Sequence, residues 1–386
     1  MSQPWARAAA AGADRERIAA TPHSFGVDVW LRFAKKPTAL AGLIAVLLLL
    51  ACALIGPSLS PYSYDKQTLS LAGVPPVFTA VVAPEAGRYF YITPNQKIIE
   101  VDDQGRLLRQ LPMAQDLFME KRVSYRCGPQ DEGLVYLDYS AAKPALLDEA
   151  GNPLAATRVL WNRTYLLGTD HLGRDILTRL MYGAQISLMV AFIAAAVNMV
   201  IGTLYGGIAG YLGGRVDAIM MRVVDIISTI PLTLYVILIK VCLAGGLVGI
   251  IVALSSVYWV DMARVVRGQV LSLKQQEFVL AARTIGSGTR RILLTHLIPN
   301  AMGSILVTAT MLIPSAIFME AFMSFIGIGI APPMASLGTM CNDATEALRS
   351  SPYQLFLPAL IICLIMFAFN FVGDGLRDSL DPQLKR

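Results

Sequence analysis

Asp225 and Glu320 are carboxylates set inside long apolar runs, where a charge needs a reason. At the centre of a bilayer each would cost about 2.5–3.5 kcal/mol on insertion scales. Asp225 falls roughly 12 Å along its run from Asp217, at 1.5 Å per helical residue. It could touch a solute crossing the membrane, or that solute's charged amine. It could equally face the bundle and pair with Arg222 or backbone groups. Glu320, nearer the other end of its run, could serve a pathway or a gate. Asp261 sits beside Arg264 and reads as a local ion pair. His171 and His296 stand alone, and with three histidines in the chain a metal site is not expected. No Gly-x-x-x-x-Gly-Lys-Ser/Thr occurs, so the chain should bind no ATP through a phosphate loop. No Ser/His/Asp arrangement is legible by spacing. No catalytic residue and no cofactor are therefore expected, and any energy source must come from partners.

A second constellation runs from Lys274 to Asn300. Phe278, Ala281, Ala282 and Ile285 recur at helical spacing, with Lys274, Gln275 and Arg283 as polar neighbours. Gly286-Ser287-Gly288 is a break. Arg290 and Arg291 follow, then His296-Leu297-Ile298-Pro299-Asn300. The pattern predicts a compact amphipathic helix within about 274–290, lying across one membrane face. Its apolar side needs a partner, either a soluble protein or the bilayer surface. Ala281 and Ala282 would let a partner backbone approach closely, and Gly286 would allow a sharp turn.

The elements that carry these residues are membrane spans. Hydrophobic residues make up 55% of the 386, and charged residues only 15%, against about 25% in soluble domains. The net charge of +5 is not gathered into one patch, and no nucleic-acid motif accompanies it. Apolar runs lie at 39–59 and at about 186–212, 217–243, 247–266, 297–325 and 354–375, long enough for six crossings of a ~30 Å core. Gly202, Gly206, Gly207, Pro231 and Pro314 fall inside them, as close-packing or kink positions that a bundle tolerates. Leu49-Leu50-Ala51-Cys52 resembles a lipoprotein cleavage box, but the long basic stretch before it and the spans after it favour a plain spanning helix.

Lys and Arg set the orientation. They gather in the tail 1–38, near Arg215 and Arg222, in 262–296, and at Arg377, Lys385 and Arg386. Both termini are expected on the cytoplasmic side. Cys52, Cys242 and Cys363 read as packed thiols; Cys127 and Cys341 would lie outside the membrane, where a bridge between them is open. Residues 60–165 differ in character. Tyr89-Phe90-Tyr91-Ile92, Lys97 to Val101 and Leu134 to Tyr139 read as strands, with hairpin turns at Asp102-Asp103-Gln104-Gly105 and Asp148-Glu149-Ala150-Gly151. The expected fold is an all-α polytopic membrane protein of six transmembrane helices. A small β-rich extracytoplasmic insert, a spacer or a docking surface, separates the first helix from a 166–386 core.

The 274–300 stretch resembles the EAA loop of ABC importer permeases. Ala281, Ala282, Gly286 and Pro299 match at the right spacing, Ile298 stands for the family's Leu, Leu280 for its Glu and His296 for its Ile, with Glu277 one turn earlier. Gly168-Thr169-Asp170-His171-Leu172-Gly173-Arg174-Asp175 resembles the entry to the second span in C-type permeases of dipeptide, oligopeptide and nickel importers. Glu320 to Gly327 and Gly373 to Asp378 also fit. The resemblance implies a bacterial inner-membrane subunit coupled to an ATPase through Glu277, Ala281, Ala282, Arg283, Gly286 and Pro299. It implies as partners a second permease, two ATP-binding subunits or domains, an extracytoplasmic solute-binding protein and membrane lipid. Peptides are the implied cargo, with nickel or a peptide-like antibiotic as alternatives and a secondary transporter as the more distant one. The 60–165 insert is longer than the family's usual external loop, and Asp261 departs from its apolar pattern.

Overall fold

A computed structural model describes residues 25–83, 88–127, 133–141, 144–243 and 246–380. The tail before residue 25 and the last six residues, with Lys385 and Arg386, lie outside the described residues. The chain begins with α1 (Phe25–Ala34) and α2 (Pro37–Leu59). The bundle then follows as α3 (Ile176–Leu212), α4 (Gly214–Thr229), α5 (Leu232–Cys242), α6 (Gly246–Ser255) and α7 (Trp259–Leu273). A short α8 (Glu277–Thr284) precedes α9 (Thr289–Phe325), α10 (Leu337–Asp343) and α11 (Tyr353–Leu380).

Among the described residues five helices are long and apolar enough to cross a membrane: α2, α3, α6 with α7, α9 and α11. The sixth expected crossing is a bent pair. α4 and α5 meet at 89°, and Pro231 sits at the junction as the N-cap of α5. Proline has no N–H for the preceding turn and its ring crowds the carbonyl four residues back, so the run breaks there instead of kinking. Pro314 stays inside α9. Ahead of Pro299, α9 widens into a π-helical segment, Ile292–Leu297, and such a widened turn relieves that same crowding.

Small residues set the closest approaches. A Cβ on Gly206 would stand 2.2 Å from the Ala263 carbonyl oxygen, so α3 and α7 touch backbone to backbone there. Both described ends of the chain lie together, since Lys36 pairs with Asp378 and a Cβ on Gly375 would meet Ala39.

Between α2 and α3 the described residues form nine strands: β1 (Val77–Val82), β2 (Arg88–Ile92), β3 (Ile98–Asp102), β4 (Leu107–Gln110), β5 (Met113–Leu117), β6 (Arg122–Cys127), β7 (Gly133–Asp138), β8 (Ala145–Leu147) and β9 (Thr157–Trp161). They make an antiparallel sheet β4-β3-β2-β1-β9 and a second sheet β5-β6-β7-β8. β3 alternates, as a strand with two covered faces must. Ile98 packs with Phe90, Tyr125, Val135 and Leu137 between the sheets. Ile99 and Val101 pack on the other face with Val74, Phe78 and Leu160. The Asp102 carboxylate accepts from the backbone N–H groups of Gln104 and Arg106 at 3.0 and 2.7 Å, which closes the expected β3–β4 hairpin. Cys341 is a buried thiol in α10 and forms no bridge to Cys127.

Candidate functional site

α8 has eight residues, fewer than the 274–290 pattern suggests. Its inner face is Val279 and Ala282, both buried. Phe278, Leu280 and Ile285 point outward at 40%, 51% and 84% exposure, with Ala281 and Glu277 also exposed. The outward surface is therefore Phe278, Leu280, Ala281 and Ile285, and Ala282 belongs to the inward side. Arg283 stacks over the Tyr211 ring, 5.1 Å from its centroid. Lys274 donates to the Gly210 carbonyl at 2.8 Å. The first contact fastens α8, and the second fastens the end of α7 just before it, to the C-terminal end of α3. Gly286 follows at φ +82°, with open space where a side chain would be. Pro299 is exposed at the start of the next span.

α3 is 37 residues long, or about 55 Å. Its N-terminal end carries the β-rich region and its C-terminal end carries α8. That length leaves room for a ~30 Å hydrocarbon core between the two. The paired chain ends, Lys36 and Asp378, lie on the α8 side: Leu380, two residues past Asp378, packs where a Cβ on Gly303 would sit, early in α9.

Two carboxylates stand elsewhere than their sequence suggested. Asp225 faces outward with 58% of its side chain exposed, and its partner is Arg264 at 3.4 Å, not Arg222. Arg264 also donates to Ser228 at 2.7 Å and reaches Asp261 at 3.8 Å, the local pair that was expected. Glu320 is the second. It is fully enclosed, and it accepts from Ser187 at 2.7 Å and Ser324 at 2.8 Å. Ser336, the N-cap of α10, adds a bond to Ser324 at 3.3 Å. The carboxylate thus ties α3, α9 and the start of α10 together.

Sequence reasoning missed a charged cluster where the β-rich region meets the bundle. The Asp170 carboxylate accepts from the backbone N–H groups of Leu172 and Arg174, each at 2.9 Å. It also receives Arg174 Nε at 2.7 Å and Arg179. Both guanidiniums reach on to Asp343 of α10, at 3.2 and 3.1 Å. Burial pushes the Asp170 carboxyl up, but Arg179 and Arg174 together hold it below the usual carboxylate range. The signal available was Arg179 at the start of an apolar run, which demands a partner. Asp217 and Arg267 form a second unread pair, bidentate at 2.6 and 2.6 Å, joining α4 to α7. Among the described residues no group of His, Cys, Asp and Glu could hold a metal.

Residues 202–386 match the family described as the binding-protein-dependent transport system inner membrane component, and residues 24–76 match the N-terminal TM domain of oligopeptide transport permease C. The chain is 38% identical over 364 residues to the dipeptide transport system permease protein of Bacillus subtilis (strain 168), covering 94% of this chain and 87% of that one. It is 52% identical over 225 residues to the oligopeptide transport system permease protein of the same organism, 58% and 74% of the two chains. It is 43% identical over 218 residues to the nickel transport system permease protein of Escherichia coli (strain K12), 56% and 79%. With its apolar helices and its match along nearly the whole length of a relative, the chain belongs to the family of inner-membrane, non-catalytic permease components of binding-protein-dependent ABC importers.

Proposed function

We propose that the chain is half of the translocation pathway of an ATP-driven peptide importer. A second permease completes the pathway, two ATP-binding subunits or domains drive it, and an extracytoplasmic solute-binding protein supplies the cargo. The observation that carries the coupling role is the outward face of α8. Phe278, Leu280 and Ile285 stay exposed while Arg283 and Lys274 anchor the helix behind them. A short helix so anchored moves with the spans, so a push from a soluble partner becomes rigid-body motion of the bundle. Glu277, Ala281, Gly286 and Pro299 are the exposed edge of this lever, and Ala282 is its seat. The side bearing α8 and both chain ends is the cytoplasmic one.

Asp225, Arg264 and Asp261 favour a pathway on the α4–α7 face. Their exposed charges would each cost about 2.5–3.5 kcal/mol against lipid, so this face turns toward the second permease and the solute. Glu320 acts in the pathway only indirectly, by holding α10 against the spans. Peptide as the cargo rests on the relatives, since the alignment that runs through the β-rich region is with a dipeptide permease.

The test is the composition of the complex purified from the inner membrane, with its bound solute identified by mass spectrometry. A second permease, two ATP-binding subunits and a peptide are expected. An isolated chain that transports without an ATPase overturns the proposal.

A further inference from the structure

We infer that the outer end of α2 holds an anionic phospholipid, one acyl chain in a groove and the phosphate on Arg163. The groove has a volume of about 660 Å³ and runs between α2 and the beginning of α3. That is within the size range of sites for small molecules, about 300–1,000 Å³. Cys52, Ile55 and Leu59 form one wall, and Leu177 and Met181 the other.

The occupant follows from what the groove adjoins. α2 carries no charged residue along its 23 positions. Leu47, Leu48, Leu54, Ile55 and Leu59 are all exposed, and an apolar face of this kind is stable only against hydrocarbon or another protein. Ile55 and Leu59 belong to both the exposed face and the groove. The groove therefore opens directly onto the lipid-facing side, and a chain can enter it without leaving the bilayer.

The mouth is polar. Arg163 lines it and is exposed, and no described carboxylate pairs with its guanidinium. Asp175 also borders the groove, but its carboxylate is turned to the first turn of α3. There it accepts from the Thr178 N–H at 2.8 Å and the Thr178 hydroxyl at 2.5 Å. The cation at the mouth is thus left for an outside anion, and a guanidinium matches phosphate oxygens in geometry as well as charge. Trp161, two residues earlier and 71% exposed, is the residue type that sits at the headgroup level.

The experiment uses the assembled importer in nanodiscs of phosphatidylcholine. A tenth of the lipid is photoreactive phosphatidylglycerol in one arm and photoreactive phosphatidylcholine in the other. Cross-linked peptides are mapped by mass spectrometry. The phosphatidylglycerol probe should label residues 51–62 and 163–181 in preference to the phosphatidylcholine probe. Arg163→Gln should reduce that preference about fivefold, from one interfacial cation. Cys52→Trp, which fills the groove, should lower labelling by both probes. Equal labelling by the two lipids, a preference indifferent to Arg163→Gln, or cross-links showing the second permease seated in the groove would each overturn the inference.

Discussion

Replacing Asp170 by Asn tests how the β-rich region is joined to the bundle. Asn keeps one oxygen for the N–H groups of Leu172 and Arg174. It sets an amide where the other oxygen met Arg174 and Arg179, whose side chains are 8% and 4% exposed. Two nearly buried guanidiniums then share Asp343 alone. Removing one partner of a buried ion pair costs about 3–5 kcal/mol, most of it from the charge left behind. Asp343 is the control, because it serves the same two arginines with a third of its side chain in solvent. Screening there brings the expected loss for Asp343→Asn down to about 1 kcal/mol. The assay is thermal unfolding of the assembled complex in nanodiscs, wild type against each variant. At about 2–4 °C per kcal/mol, Asp170→Asn should lower the midpoint by roughly 6–20 °C, several times the Asp343→Asn shift. Equal shifts, or a larger one for Asp343→Asn, would show that Asp170 is not the carboxylate that holds the two arginines.

The same cluster carries a pH dependence. The folded Asp170 carboxyl lies below its unfolded value of about 3.9, so its contribution is complete above that value and fades as pH falls through the folded one. The wild-type advantage over Asp170→Asn in unfolding temperature should persist at neutral pH and shrink below about pH 4. Asp217→Asn breaks the bidentate bond to Arg267 between α4 and α7, and the partly exposed site should lose about 1–2 kcal/mol. Urea or thermal unfolding of the complex would read this; no measurable loss would show the pair to be solvated. At Gly286, Ala should cost only about 1–2 kcal/mol of local backbone strain and leave uptake measurable. Trp there should permit ATP hydrolysis without uptake, and normal uptake by that variant would count against the role of α8.

The spans were legible because a bilayer forces long apolar runs, and little else in a protein does. The β3–β4 hairpin was legible for a local reason: Asp102 closes its own turn. Pairings between distant segments were not. Arg179 and Asp343 are 164 positions apart, and nothing near either names the other. The enclosure of Glu320 was not legible, because a carboxylate in an apolar run does not name its partners. Its partners are the neutral hydroxyls of Ser187 and Ser324, of which only Ser324, four positions on, was near in sequence. Asp225 looked deep by its count of residues from Asp217, yet a break at Pro231 turns its helix out of a straight crossing. On α8 the period did not say which residues would be buried. Val279 joins Ala282 on the buried side, and a two-turn helix with apolar residues on several faces does not say which face it buries.

Cross-linking tests most directly the proposal that α8 is the surface through which an ATP-binding subunit moves the spans. Ile285→Cys, at an 84% exposed position beside that helix, can be cross-linked in membranes containing the assembled importer. A cytoplasmic reagent should capture an ATP-binding subunit, with uptake blocked once the link has formed. Capture of a protein on the opposite side of the membrane, or unimpaired ATP-driven uptake with the link in place, would contradict it.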